Sequence, residues 1–239
     1  YFINASYRRD GASQISNIYK NKFQDFWAVG AAWEISKEKF METQKIFNYL
    51  KLKASTGLLG NFTSQGKAYP AYPSFSSSTS AVFGSNLTPV YTADYLYAPN
   101  LKWETVSSTE VGIEADMLSN RLHFEAAYYN KKTKDLLVLL TPPGILPTLA
   151  NVGSIENSGL EFTAGWTQRL NKDMALTFNG NLTTYKNKVI ELTYPAYANL
   201  SSSQQTPNQA EVGRPLGYYY GLVVEGIYQS YADILASRV

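Results

Sequence analysis

Residues Arg121 to Asn130 read RLHFEAAYYN, and residues Asn157 to Thr167 read NSGLEFTAGWT. In the first stretch Leu122, Phe124, Ala126 and Tyr128 alternate with His123, Glu125, Ala127 and Tyr129. In the second, Leu160, Phe162, Ala164 and Trp166 alternate with Asn157, Gly159, Glu161, Thr163 and Thr167. Successive side chains of a strand point to opposite faces, so each run has an apolar side and a polar side. Runs of about ten such residues are the units of a membrane β-barrel wall, with lipid outside and a polar lumen within.

The same rhythm continues outward in both directions. Tyr1 to Arg9 sets Tyr1, Ile3, Ala5 and Tyr7 against Asn4, Ser6 and Arg8, and Phe26 to Ile35 groups Trp27, Val29, Ala31 and Trp33. Tyr49 to Thr56 sets Leu50, Leu52 and Ala54 against Lys51, Lys53 and Ser55. Trp103 to Asp116 places Val111, Ile113 and Ala115 opposite Glu110 and Glu114. Met174 to Tyr185 places Leu176, Phe178 and Leu182 opposite Thr177, Asn179 and Asn181. The fold class is therefore all-β, an antiparallel transmembrane barrel wall to which this chain contributes about seven strands.

Connection lengths orient the wall. Met117–Asn120 and Gln168–Asp173 are short, polar and turn-like, whereas 58–101, 135–156 and 186–239 are long and rich in Ser, Thr, Pro, Tyr and Gly. Short periplasmic turns and long extracellular loops are the two ends of an outer-membrane barrel. Ser36 to Ile46 is longer than a minimal turn and leaves room for a short helical stretch. Trp33 and Trp166 fall near the short-turn ends, and Trp27, Tyr128 and Tyr185 toward the long-loop ends, as interfacial aromatics do. A soluble β-rich core filled with aromatics is the rival reading.

Composition narrows the classes. Charged residues are 17% of the 239, below the usual quarter, and the net charge of +2 gives no argument for nucleic acid. The chain has no Cys, so neither a disulfide framework nor a thiolate metal site can form. No signal peptide is visible, and the chain opens in mid-strand at Tyr1. The most apolar run, Leu136 to Ala150, is broken by Pro142, Pro143 and Pro147 and falls short of the roughly 20 residues of a membrane helix.

No catalytic constellation is legible, and no cofactor is called for. His123 stands alone on the polar face near a short turn, with no Ser, Asp or Cys partner evident. Glu110, Glu114 and Glu125 read as lumen-facing carboxylates that pair with Lys51 or Lys53. The contact candidates are tyrosines: Tyr91, Tyr95 and Tyr97 in one long loop, Tyr218 and Tyr219 in another. Exposed Tyr binds sugars or peptides by stacking and hydrogen bonding, or serves protein interfaces, or packs within its own loop. Leu139, Leu140 and Ile145 join them, because an apolar loop placed outside a cell marks an interaction surface or packs against its neighbours.

Six motifs in order resemble the barrel of SusC-like (RagA-type) TonB-dependent transporters of Bacteroidota. They are Arg8-Arg9-Asp10-Gly11-Ala12-Ser13; Leu50 to Gly57 followed by Gly60-Asn61; Asn100-Leu101-Lys102-Trp103-Glu104 leading to Glu110-Val111-Gly112; Tyr128 to Leu137; Asn151-Val152-Gly153 with Asn157-Ser158-Gly159-Leu160-Glu161; and Val212 to Tyr218 with Glu225 to Gln229. Ala12 and Glu225 stand where the family usually has Ser and Asp.

The resemblance implies a barrel of about 22 strands around a plug. Seven strands cannot close it, so residues 1–239 are expected to be part of the barrel's later half, with plug, TonB box and final strands outside the chain. It further implies an outer-membrane active importer of oligomeric nutrients such as glycans or peptides, not an enzyme. The implied partners are a SusD-like surface lipoprotein, the TonB–ExbB–ExbD complex and outer-membrane lipid. A passive porin-like or structural barrel is the alternative, and a soluble β-sandwich binding module is a third.

Overall fold

A computed structural model describes residues 1–15, 20–62, 69, 72, 74–97, 101–140, 144–192, 208–221, 224 and 226–236. Seven long strands make one antiparallel sheet: β1 (Phe2–Gly11), β2 (Phe23–Glu34), β3 (Phe47–Asn61), β4 (Glu104–Met117), β5 (Leu122–Lys134), β6 (Gly153–Arg169) and β7 (Ala175–Leu192). Each pairs only with its neighbours in sequence, and the sheet is not closed. Among the described residues, three smaller sheets of two or three strands pair with none of these seven strands.

The strands run past the sequence-based ends, chiefly at the long-loop side. β3 continues to Asn61, β6 starts at Gly153 and β7 continues to Leu192. The pairing ladder holds these extensions where apolar residues fall side by side, as Leu58 with Leu59 and Val189 with Ile190, a signal that alternation alone does not carry. Ile35–Lys37 and Lys39–Met41 form two short 3-10 turns in the expected helical stretch between β2 and β3.

Register fixes the faces. One row crosses all seven strands as Ile3, Ala31, Ala54, Val111, Tyr128, Leu160 and Thr184. The next apolar row toward the short turns is Trp33, Leu52, Ile113, Ala126, Phe162 and Leu182. Ile3 is 83% exposed, Phe178 66% and Leu182 62%, so this face is an open apolar surface. Burying such a face is what lipid does for a barrel wall. No helix among the described residues is long and apolar enough to cross a membrane.

The apolar band slides steadily along the sheet. On β1 it runs from Tyr1 to Tyr7, centred one residue toward the long-loop end of the Ile3 row. On β7 it runs from Leu176 to Leu182, centred five residues toward the short-turn end of the same row. Six residues over six strand steps is one residue per strand. At about 3.3 Å per residue and about 4.8 Å between strands, that slope tilts the strands by about 35° from the membrane normal. Barrel closure demands a tilt of this size.

The β4–β5 turn is held in an unusual conformation. Leu118, Ser119 and Asn120 all have φ near +60° (56°, 60° and 60°). Each left-handed residue that is not glycine costs roughly 1–2 kcal/mol. The neighbouring connection clamps it: the Leu118 N–H donates to the Ile46 carbonyl at 3.0 Å and the Asn120 N–H to Asn48 Oδ1 at 3.2 Å. Most of the deeply buried side chains lie at the other end, where Leu101, Leu137 and Leu149 pack with Phe62 beneath the long loops.

Candidate functional site

The polar face carries charge in register. Glu34, Lys51, Glu114, Glu125, Thr163 and Asn181 form one row from β2 to β7. Glu114 and Glu125 stand directly opposite each other, an unfavourable juxtaposition. Each is answered by a lysine: Lys51 Nζ lies 3.5 Å from Glu114 Oε2, and Lys53 donates to Glu125. Lys53 reaches Glu125 diagonally across Gly112, where a Cβ would stand 2.9 Å from its Cε atom. The pairing of Glu114 and Glu125 with Lys51 and Lys53 agrees with the sequence reading, whereas, among the described residues, Glu110 makes no ion pair with either lysine.

His123 differs from its sequence reading. Asp116 is its cross-strand neighbour, and the two side chains meet at 2.7 Å between Nδ1 and Oδ1. The partner was hidden only until the register was known. The turn at 118–121 sets residues whose numbers sum to 239 opposite each other, which brings 116 to 123. Tyr185 is also corrected. It shares the polar face with Tyr129 and Gly159 and so is not part of the lipid-side aromatic belt.

From the Glu110 row to the short turns, the polar face holds Glu34, Glu110, Glu114, Asp116, Glu125 and Glu161 against Lys51, Lys53 and Arg169, with His123. This half of the wall is acidic. Among the described residues no three His, Asp or Glu side chains converge on a metal position. The arrangement offers hydrogen bonds and a negative field to whatever fills the lumen.

At the long-loop end the motif residues act as fasteners. Asn151 accepts from the Lys102 N–H through Oδ1 at 2.9 Å, and its Nδ2 donates to the carbonyls of Lys102 and Asp135 at 3.0 and 2.7 Å. Trp103 meets Phe26 and Phe62 edge-on at 5.6 and 5.9 Å and donates to the Lys22 carbonyl at 3.3 Å. Phe26 in turn occupies the space above Gly60, where a Cβ would meet its ring at 1.9 Å. Leu137–Leu140 pairs antiparallel with Thr148–Asn151, which pairs parallel with Leu96–Tyr97, so two loops share a small sheet. The segment around Gly213 docks on the free edge of β7, exchanging hydrogen bonds with Val189 at 2.8 Å.

The contact candidates divide accordingly. Tyr95 is 2% exposed and its hydroxyl donates to the carbonyls of Tyr69 and Tyr72, both at 3.1 Å. It is corrected from a contact residue to an internal anchor of its loop. Burial, with Asp94 beside it, pushes its phenol above the ordinary value. Tyr91 is 70% exposed on a hairpin of Phe75–Phe83 with Asn86–Ala93. Tyr218 donates to Glu211 at 2.8 Å, which raises its phenol, and Tyr219 is exposed. The apolar loop both packs and presents. Its base is buried at Leu137 and Leu149, Leu140 is half-buried, and Ile145 at the tip is exposed. The side chains of Tyr97 and Leu139, and residues 141–143 with Pro142 and Pro143, lie outside the described residues, as do Asn100 and Glu225 of the motifs.

Comparisons agree with this geometry. The family model for "TonB dependent receptor-like, beta-barrel" matches residues 1–233. A TonB-dependent receptor of Formosa agariphila is 32% identical, over 99% of this chain and 24% of its own length. The TonB-dependent receptor SusC of Bacteroides thetaiotaomicron is 27% identical, over 81% of this chain and 20% of its own. Among solved structures, the RagAB peptide transporter superposes with a TM-score of 0.75 at 26% identity, over 89% of this chain and 23% of that chain. The chain spans about a quarter of the length of the curated relatives it matches.

Proposed function

Since this chain belongs to the TonB-dependent receptor β-barrel family, we propose that it forms part of the wall of an outer-membrane importer for oligomeric nutrients, glycans or peptides. The observation that carries this reading is the two-faced sheet. A sliding apolar band meets lipid, and an acidic polar face lines a lumen. The long-loop end faces the exterior and the short-turn end the periplasm. The free edges of β1 and β7 take further strands of the same barrel, because an open edge cannot persist in lipid. Energy comes from the TonB–ExbB–ExbD complex through segments beyond this chain, which separates this reading from a passive porin. The RagAB neighbour is a peptide transporter, which fits the substrate class proposed here.

A SusD-like lipoprotein sits over the long-loop end. The exposed tip at Ile145 and Leu146 supports this, since the base of the same loop has already satisfied its own packing. In the full-length receptor, exchanging Ile145 and Leu146 for Ser is expected to reduce co-purification of the lipoprotein while leaving the barrel folded. Unchanged recovery would remove that contact. Uptake of labelled oligosaccharide or peptide pools should stop when TonB is disrupted; uptake that persists would favour the porin.

A further inference from the structure

Above the apolar band the outer face becomes charged, on β1 and β2 as one balanced pair, Arg9 with Asp25 at 3.6 Å, and on β5 to β7 as a lysine cluster. Two rows beyond Tyr128, that face reads Tyr7, Trp27 and Leu58 on β1 to β3, but Lys132, Glu156 and Lys188 on β5 to β7. Lys134 and Lys186 share this face by alternation. Four lysines thus stand against one carboxylate, and that carboxylate already accepts from Asn130 Nδ2 at 2.5 Å. None of the four makes an ion pair among the described residues, and Lys134, Lys186 and Lys188 are exposed.

Lys132 and Lys134 also line a groove of about 440 Å³ with Lys102, Thr105, Ser107 and Trp103, three lysines against the single carboxylate of Asp135, which lies 3.9 Å from Lys102. Hydroxyls beside ammonium groups are hydrogen-bond donors suited to phosphate oxygens. Position is the second argument. On β7 the change from Leu182 to Lys186 falls within four residues, so the lysines begin where the hydrocarbon-facing band ends. A soluble partner has no reason to follow that boundary, whereas a lipid headgroup lies on it. Lysines are also what an anionic lipid surface attracts, each raising affinity by roughly fivefold.

We propose that Lys132, Lys134, Lys186 and Lys188 form a binding surface for the phosphate groups of lipids in the leaflet at the long-loop end. This rests on the wall reading above. The cationic sector fixes one side of the barrel against phosphorylated headgroups while the β1–β3 sector stays in contact with hydrocarbon. Because of the steady tilt, the two sectors lie at different heights of the same continuous wall.

The test uses the full-length receptor reconstituted in phosphatidylcholine vesicles with or without bisphosphorylated lipid A. The wild type is expected to melt at a higher temperature when lipid A is present, and to retain it through purification. Exchanging Lys132 and Lys188 for Gln should weaken that retention by about tenfold or more. Lys131→Gln, on the polar face, and Lys172→Gln, in a short turn, should leave it unchanged. Equal protection by inorganic phosphate in plain vesicles would reassign the surface to a free anion and overturn the proposal. So would equal retention of lipid A by the double variant. A receptor that inserts in both vesicle types but shows no lipid preference refutes this inference alone. One extracted by buffer without detergent refutes the wall reading itself.

Discussion

Asn151 does with one side chain what a strand pairing does with backbone: it offers an acceptor and donors to the peptide groups of another loop. Exchanging it for Ala leaves the Lys102 amide and the carbonyls of Lys102 and Asp135 without these partners. The expected loss is about 2–3 kcal/mol, because unpaired peptide groups cost more than the net worth of the bonds. Limited proteolysis at loop residues 62–103 and 135–152 in the full-length receptor would register it as faster cleavage. Tyr95 allows a pH test of the same region. Its phenol is raised in the folded protein, so its stabilising contribution is fully present below the unfolded value near pH 10 and is lost as pH rises through the higher folded value. Alkaline titration should therefore ionise Tyr95 late, as it does Tyr218, and the Tyr95 component should come together with increased loop cleavage. In Tyr95→Phe that late component should be missing, and the loop should already be cleaved faster at neutral pH.

The strands test the assignment of faces. Phe162→Arg puts a charge on the lipid side of β6 and is expected to cost about 2–4 kcal/mol near the midplane. Thr163→Arg sits in the row of Glu125 and Asn181 and should be tolerated. Urea midpoints of the detergent-solubilised receptor would separate the two, and equal losses would reverse the faces. Alternation made seven strands and their faces legible, since a period of two needs only local sequence. What it left out has a physical pattern. The strand extensions to Asn61 and Leu192 set Leu58 beside Leu59 and Val189 beside Ile190, so apolar and polar residues do not alternate there. The hairpin around Gly84 and the short pairings of Leu137–Leu140 lie inside stretches that composition marks only as loop. Helix α1 (Tyr231–Ala236) had a readable signal in Ser230 and Asp233, which cap each other, but six residues lie beneath any periodicity. Asn151 and the Asp116–His123 pair depend on register and loop approach, which exist only after the chain is folded.

Across the whole molecule, orientation is the property most easily overturned. A protease site within 76–80, on the long-loop hairpin, should be cut on intact cells, and one at Ser119-Asn120 should be protected; the reverse pattern would invert the wall. The purely sequential pairing of the strands has a separate consequence, for the order in which the wall is knit. β4 and β5 are separated by residues 118–121 and β6 and β7 by 170–174, whereas β3 and β4 must find each other across 62–103. Chain-closure entropy makes the longest of these joints about 2 kcal/mol harder to initiate than the shortest. Ready-made hairpins therefore come first, and the β3–β4 seam is the late step. Asn151 lies on the C-terminal side of that seam and holds Lys102, the residue leading into β4. A clasp of this kind draws the long connection in from its far end, shortening the search before the last two strands meet.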